Sequence, residues 1–316
     1  MRVLLTGGAG FIGSHVAQAL LGRGDEVTIV DDLNAFYDPA VKRSNLDEIR
    51  ESGDFRFLEA DIRDVPRMEK LFAEGRFDAV IHLAAMAGVR PSIQDPALYV
   101  SVNLDGSCVL FEQAARHGVE RFVFASSSSV YGNNEKVPFH EDDPVDHPIS
   151  PYAATKKAGE LLAHTYFHLH GLPMTCLRFF TVYGPRQRPE MAIHRFCALI
   201  EKGEPVPLFG DGSSRRDYTY IDDITDGVLR ALDRPRGFRV YNLGESRTTT
   251  LSRLVELIEE ALGKRAVIDR RPMQPGDVRE TYADVSRARE ELGYVPSVTV
   301  EEGIPRFVRW FRGRRG

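Results

Sequence analysis

A tyrosine and a lysine stand four residues apart in Tyr152-Ala153-Ala154-Thr155-Lys156, directly after Ser150-Pro151. Serine at an N-cap and proline at the first helical position start helices, so the phenol and the ammonium are predicted on one helical face, a turn apart. A neighbouring cation favours the phenolate and lowers a phenol's pKa. The pair can then act as a base that takes a hydroxyl proton near neutral pH. Taken alone, it reads better as a helix start with a solvated lysine. A second group shifts the balance: Ser126-Ser127-Ser128-Ser129-Val130-Tyr131-Gly132 follows the apolar stretch Arg121–Ala125. That places four hydroxyls at the C-terminal end of a predicted strand, where open α/β sheets bind ligands.

Gly7-Gly8-Ala9-Gly10-Phe11-Ile12-Gly13 lies between a predicted strand, Val3–Thr6, and a predicted helix, Ile12–Leu21. Glycines at this spacing allow a tight turn, close approach of backbone to a pyrophosphate and close helix–sheet packing, with the helix N-terminus aimed at the phosphates. A second predicted strand, Val27–Asp31, ends in Asp31-Asp32, at the position about 20 residues on that a dinucleotide fingerprint needs. An acidic side chain there accepts from ribose hydroxyls and repels a 2′-phosphate, so NAD is expected in preference to NADP.

The elements that would carry these groups are short apolar runs alternating with helical patterns. The remaining strand candidates are Phe55–Glu59, Ala79–Leu83 and Met174–Arg178. Continuous apolar runs suit strands covered on both faces, and βα alternation makes a right-handed parallel sheet. The expected fold is α/β, a Rossmann-type doubly wound parallel sheet over residues 1–180. After about residue 185 proline and glycine become frequent, and Leu251–Leu262 is the one helix read with an apolar face. Residues 181–316 are expected to form a smaller mixed α/β substrate domain, with part of its chain returning to the first.

Net charge is −5 and the isoelectric point about 6.0, which excludes a bulk electrostatic case for nucleic acid. The Arg312, Arg314 and Arg315 cluster reads as a solvated tail. No apolar run reaches the roughly 18–20 residues needed to cross a bilayer, and the N-terminus opens on a strand pattern without a signal segment. Cys108, Cys176 and Cys197 form no C-x-x-C pair, which argues against a disulfide framework or structural zinc. The cytoplasm is the expected location. His164 and His168 are spaced for a shared metal, but no third ligand is evident and no metal is expected.

On the Gly7–Gly13 turn, Leu83-Ala84-Ala85, Ser126–Gly132, the Tyr152/Lys156 pair, Leu177–Pro185 and Arg216-Asp217-Tyr218-Thr219-Tyr220-Ile221-Asp222-Asp223, the chain resembles the extended short-chain dehydrogenase/reductase family. Within that family it is similar to the nucleotide-sugar 4-epimerases, over essentially its whole length. The resemblance implies an isomerase that oxidises C4 of a UDP-sugar with bound NAD, lets the 4-keto sugar turn over, and returns the hydride to the opposite face. It implies Tyr152 as the acid/base, Lys156 as the residue that lowers its pKa and holds the nicotinamide ribose, and Ser127 as the partner of the reacting hydroxyl. It further implies that NAD contacts Gly7, Gly10, Phe11, Ile12, Gly13, Asp31, Asp32, Asn34, Asp61, Ile62, Leu83, Ala84, Ala85, Asn103, Ser126 and Phe179 besides Tyr152 and Lys156. Substrate is implied to contact Arg90, Ser127, Ser128, Ser129, Thr181, Arg186, Met191, Arg195, Arg216 and Asp277. A homodimer through the helices at Pro96–His117 and Tyr152–His170 is implied as well.

The reaction and the sugar follow from finer matches. The 4,6-dehydratases carry an Asp-Glu pair where this chain has Ser128 and Ser129, and uronate decarboxylases carry Glu at the position of Ser129; epimerisation is the chemistry left without those carboxylates. Asp32–Pro39, Ala87–Ser92, Tyr183–Ala192, Val145–Ala154 and Met273–Val278 look like UDP-glucuronate 4-epimerases in particular. Arg186 is then expected to bind the C6 carboxylate with a two-pronged hydrogen bond, the other reading being a surface or diphosphate contact, since a YGPRQ string also occurs in neutral-sugar epimerases. Thr181 stands where many epimerases have Asn, and Gln274 where many have Arg. Asp277 or Arg271 is left to meet the nucleotide, and the small Thr281 leaves N-acetylhexosamines open. A UDP-glucose/UDP-galactose or N-acetylhexosamine 4-epimerase is the alternative; a catalytically inactive NAD-binding sensor is a remote one.

Overall fold

The computed structural model describes residues 1–272 and 279–314. Its strands are β1 Arg2–Thr6, β2 Glu26–Asp31, β3 Arg56–Glu59, β4 Ala79–His82, β5 Arg121–Ser127, β6 Met174–Phe179, β7 Thr181–Tyr183, β8 Pro205–Phe209, β9 Arg215–Arg216, β10 Tyr218–Tyr220, β11 Phe238–Leu243, β12 Thr249–Thr250 and β13 Val267–Arg271. Seven of these form one parallel sheet in the order β11-β6-β5-β4-β1-β2-β3. The chain builds outward from β1 to β3, then crosses to β4 on the other side of β1, so the order reverses between β1 and β4.

Side chains along these strands divide by period two between the faces. Val3, Leu5, Ile29, Ile81, Val123 and Leu177 enter one buried cluster. Their alternates Leu4, Val30, Val80, Phe122, Phe124 and Cys176 enter the other. Both faces are covered, which is why the runs read as continuously apolar.

The helices are α1 Phe11–Gly22, α2 Pro39–Arg50, α3 Val65–Gly75, α4 Val89–Gln94, α5 Pro96–Val100, α6 Gly106–Arg116, α7 Pro151–His170, α8 Ala192–Lys202, α9 Ile221–Asp233, α10 Leu251–Leu262, α11 Ser286–Leu292 and α12 Val300–Gly313. A π-helical turn, Ser101–Asp105, joins α5 to α6. The start of α7 is as its residues predict: Ser150 Oγ accepts from Ala153 N at 3.1 Å, Pro151 is the first residue, and left-handed Gly171 ends it.

The C-terminal third is more helical than its prolines and glycines suggested. α10 has the predicted bounds, but α8, α9 and α12 are also long, and α12 carries Pro305 inside it. Gly203 and Gly263 punctuate rather than break these elements, each closing a helix in the left-handed conformation. β11 pairs with β6 in the main sheet, and α9 packs on α1.

Candidate active site

A cavity of about 400 Å³ runs along the C-terminal ends of the parallel strands, where the order reverses, as expected for open α/β sheets. Gly7, Gly10, Phe11, Ile12, Gly13, Asp31, Asp32 and Asn34 line one end, followed by Asp61, Ile62, Leu83, Ala84 and Ala85. Ser126, Ser127, Ser128, Ser129, Tyr152, Lys156, Phe179, Thr181, Arg188 and Met191 line the other.

The glycine turn is shaped for backbone approach. A Cβ on Gly13 would lie 2.1 Å from the Gly7 carbonyl oxygen, and one on Gly7, at φ +72°, 2.6 Å from Ala84 N. No side chain caps α1 at Gly10 and no acid stands in its first turn, so its leading N–H groups and positive end are left for an anion. At the tip of β2, Asp31 accepts from Ala9 N at 3.1 Å and Leu33 N at 2.9 Å, with Lys42 Nζ at 3.4 Å. Burial pushes its carboxyl up, and Lys42 opposes this. These residues fit a dinucleotide: a tight amide-lined cradle for the diphosphate and carboxylates at the ribose end.

At the other end, Tyr152 and Ser127 meet hydroxyl to hydroxyl. Burial raises the phenol's pKa, while the Ser127 hydrogen bond and the Arg188 charge lower it. Ser127 Oγ also lies 3.0 Å from Ser129 Oγ and accepts from Ser129 N at 3.2 Å. Lys156 is buried, donates to Ala125 O at 2.7 Å and sits 6.0 Å from the Tyr152 ring centroid. Burial lowers its pKa to about 8. The cation is spent on a backbone carbonyl, and desolvation dominates the phenol.

Beneath the serines lies a buried ion pair. Arg178 of β6 makes two hydrogen bonds of 2.8 Å to Glu160 of α7, and Ser126 Oγ donates to the same carboxylate at 2.6 Å. Arg178 also reaches the Tyr131 hydroxyl at 2.9 Å, and Tyr131 donates to Asn242 Oδ1 at 2.7 Å. The network ties the ends of β5, β6 and β11 to α7.

Other expectations are revised. Arg186 does not line the cavity; it is buried against Glu48 of α2 at 2.8 Å and Gln18 of α1 at 2.6 Å. Arg188 is the arginine on the wall, among the described residues. Its guanidinium lies 5.5 Å from the Phe36 ring centroid and 3.2 Å from Glu190. Asn103 is also off the wall. Its side chain holds Met86 N and O and reaches Thr155 Oγ1 at 3.1 Å, so it shapes the loop after β4 from the π-helical turn. That turn is braced by His82, with Thr6 at Nδ1 (2.7 Å) and Ser107 at Nε2 (3.0 Å), while Ser107 donates to Asn103 O. Burial drives His82 down to about 3, leaving it neutral.

Arg90 stacks on Phe209, Arg195 lies on the exposed side of α8, and Arg216 reaches the carbonyls of Arg215 and Arg279; none of the three lines this cavity. Thr281 supports Asp217 N at 3.3 Å, and Arg271 pairs with Asp269. Asp277 and Gln274 fall outside the described residues. His164 and His168 stack in parallel 6.5 Å apart on α7. Phe36, Tyr37, Lys42 and Arg188 line the cavity without having been singled out from the sequence. Only the second arginine of Pro185-Arg186-Gln187-Arg188-Pro189 carried a signal, and it was given to the first. Among the described residues, no helix is long and apolar enough to cross a membrane.

The family described as GDP-mannose 4,6 dehydratase matches residues 4–307. A UDP-glucuronate 4-epimerase of Thermodesulfobacterium geofontis is 44% identical over 308 residues, covering 97% of this chain and 95% of that protein. Among solved structures, the UDP-glucose 4-epimerase of Thermotoga maritima, with UDP-glucose, aligns with a TM-score of 0.93 at 38% identity over 100% of both chains. The UDP-glucuronic acid 4-epimerase of Bacillus cereus, with UDP-glucuronic acid and NAD, aligns at 0.92 and 36% identity over 99% of this chain and 100% of that one.

Proposed function

The chain belongs to the GDP-mannose 4,6 dehydratase family of extended short-chain dehydrogenases/reductases, and from that premise we propose that it is a UDP-glucuronate 4-epimerase that works with bound NAD. The observation that carries the reading is where charge stands on the cavity wall. Among the described residues its carboxylates, Asp31, Asp32 and Asp61, all belong to the glycine-turn end, while the end with Tyr152 and Ser127 has hydroxyls, the Lys156 ammonium and one guanidinium, Arg188. A dehydratase or an assisted decarboxylase needs an acid beside the sugar to move a C5 proton or govern C6. Ser128 and Ser129 supply none. A guanidinium facing the sugar suits a C6 carboxylate, and Arg188 takes the part first given to Arg186.

When bound, NAD supplies a reversible two-electron exchange at C4. Tyr152 accepts the proton of the 4-hydroxyl and gives it back when the 4-keto sugar is reduced on its other face. Ser127 holds the reacting oxygen against the phenol, and Lys156, fixed by Ala125 O, keeps a positive charge on the floor of the site. Burial of Tyr152 and Lys156 excludes water and strengthens these interactions. Holding the substrate by its nucleotide supplies orientation while leaving the sugar free to turn.

The same reading takes residues 1–180 as the cofactor domain and 181–316 as the substrate domain, with α9 and β11 returning to the first. It also takes the molecule as a cytoplasmic homodimer. Exposed Val100, Leu161 and Leu169 on neighbouring α5 and α7 and three free thiols support that.

Incubation with UDP-glucuronate, followed by NMR of the product and absorbance at the NADH band, tests the function. UDP-galacturonate with no net NADH is expected. Turnover of UDP-glucose without UDP-glucuronate would move the assignment to the neutral-sugar enzymes.

A further inference from the structure

Three consecutive residues after β7 point in three directions. Gln187 turns inward, donating to Val182 O at 3.1 Å and accepting from His194 N. Arg188 faces the cavity. Arg186, at φ +63°, turns away from both, into the seam between α1 and α2. A left-handed arginine costs on the order of 1 kcal/mol and persists only where surroundings hold it. Here the surroundings are a half-buried Glu48 carboxylate on Nε at 2.8 Å and the Gln18 amide oxygen on Nη2 at 2.6 Å. Just upstream, His15 Nε2 meets Pro185 O at 2.9 Å. Burial and the Arg186 charge lower His15 to about 4, so it is neutral and donates. The other Glu48 oxygen meets Arg314, the C-cap of α12. Glu48 stands near the end of α2, whose first turns carry Lys42 beside Asp31. One helix thus touches the ribose end of the cavity and grips the root of the loop that carries Arg188.

We propose that the Glu48–Arg186 pair is a positioning element for the sugar end of the site: it fixes the loop at 185–191 so that Arg188 is presented to the C6 carboxylate. Arg186 is a positioning residue acting through Arg188. Its Nη1, buried without a partner, is the cost of spending the guanidinium on the seam. The sugar-specific part of this inference rests on the uronate reading above.

Removal of the Glu48 charge separates positioning from direct contact. If Arg186 touched substrate, Glu48→Gln would free it and tighten uronate binding; if it positions Arg188, the same change loosens the loop and weakens binding. Steady-state kinetics of the NAD-loaded full chain on UDP-glucuronate and UDP-glucose provide the readout. For Glu48→Gln and Arg186→Met we expect the UDP-glucuronate KM to rise about fivefold or more, with kcat and the UDP-glucose KM within about twofold. Arg186→Lys should recover part of the loss. An unchanged or lower uronate KM in Glu48→Gln, or equal shifts for both sugars, overturns the proposal. Amide exchange over 185–191 adds a readout that needs no substrate: faster exchange in Glu48→Gln with β5 and β6 unchanged is expected, and unchanged protection overturns the proposal. Wild-type enzyme inert toward UDP-glucuronate would sink the uronate reading instead, and the exchange measurement would still judge the pair.

Discussion

Replacing Arg178 by Met is the most searching perturbation of the framework under the serines of the cavity. Arg178 and Glu160 are each about 2% exposed and share two hydrogen bonds of 2.8 Å. Without the arginine, Glu160 keeps Ser126 Oγ and, at 3.7 Å, Lys157, whose side chain is partly solvated. Orphaning one member of a buried pair costs about 3–5 kcal/mol, most of it the stranded charge. The Glu141 carbonyl, 3.2 Å from Arg178 Nη1, loses that donor as well. For a chain of this size, roughly 2 °C per kcal/mol gives a fall in apparent Tm of about 6–10 °C. Adding Glu160→Gln removes the stranded charge while leaving Ser126 an acceptor, so Arg178→Met/Glu160→Gln should be more stable than Arg178→Met by about 2 kcal/mol. Thermal unfolding of the four proteins at matched NAD concentration measures the cycle. A double variant no more stable than Arg178→Met would refute the argument that the stranded carboxylate sets the cost.

Three further outcomes follow from the geometry. Tyr152→Phe should lower kcat by about 10²–10⁴-fold with bound NAD content unchanged; equal turnover would remove the phenol from the proton transfer. Gly13→Ala drives a Cβ into the Gly7 carbonyl, which should cost about 1–3 kcal/mol of stability and empty the enzyme of NAD, read from the absorbance of a denatured extract. Glu245 is nearly buried with one oxygen unpartnered; burial, with Asp223 and Asp217 adding, raises it from 4.5 to about 7. A raised acid contributes stability that is present below its unfolded value and lost as pH climbs through the folded one, here between about 4.5 and 7. Glu245→Gln should therefore be more stable than wild type at pH 8, by on the order of 1–3 kcal/mol, and the gap should close toward pH 5. Parallel denaturant curves at the two pH values would contradict this.

The features legible from the chain alone are those whose cause is local. The Ser150-Pro151 start of α7, the glycine turn before α1 and the two-faced apolar strands β1, β4 and β5 are set by neighbours a few residues away, so spacing suffices to find them. The positions of Ser127 and Tyr152 on one cavity follow from βα order and handedness, which are also chain-order properties. Where sequence reading misled, the deciding partner was remote. Arg186 and Arg188 are chemically identical and two residues apart. Arg188 lines the cavity, whereas Arg186 is turned from it onto Glu48, 138 residues before it in the chain. Burial is the largest influence on the Tyr152 pKa and raises it, while Ser127 and Arg188, 25 and 36 residues away along the chain, lower it. Asn103 reads as a cofactor contact until the π-helical turn aims it at Met86 and Thr155. Periodicity carries the fold because backbone hydrogen bonding repeats at short range. Side-chain orientation and charge state at the site are set by long-range packing, which folding alone brings together.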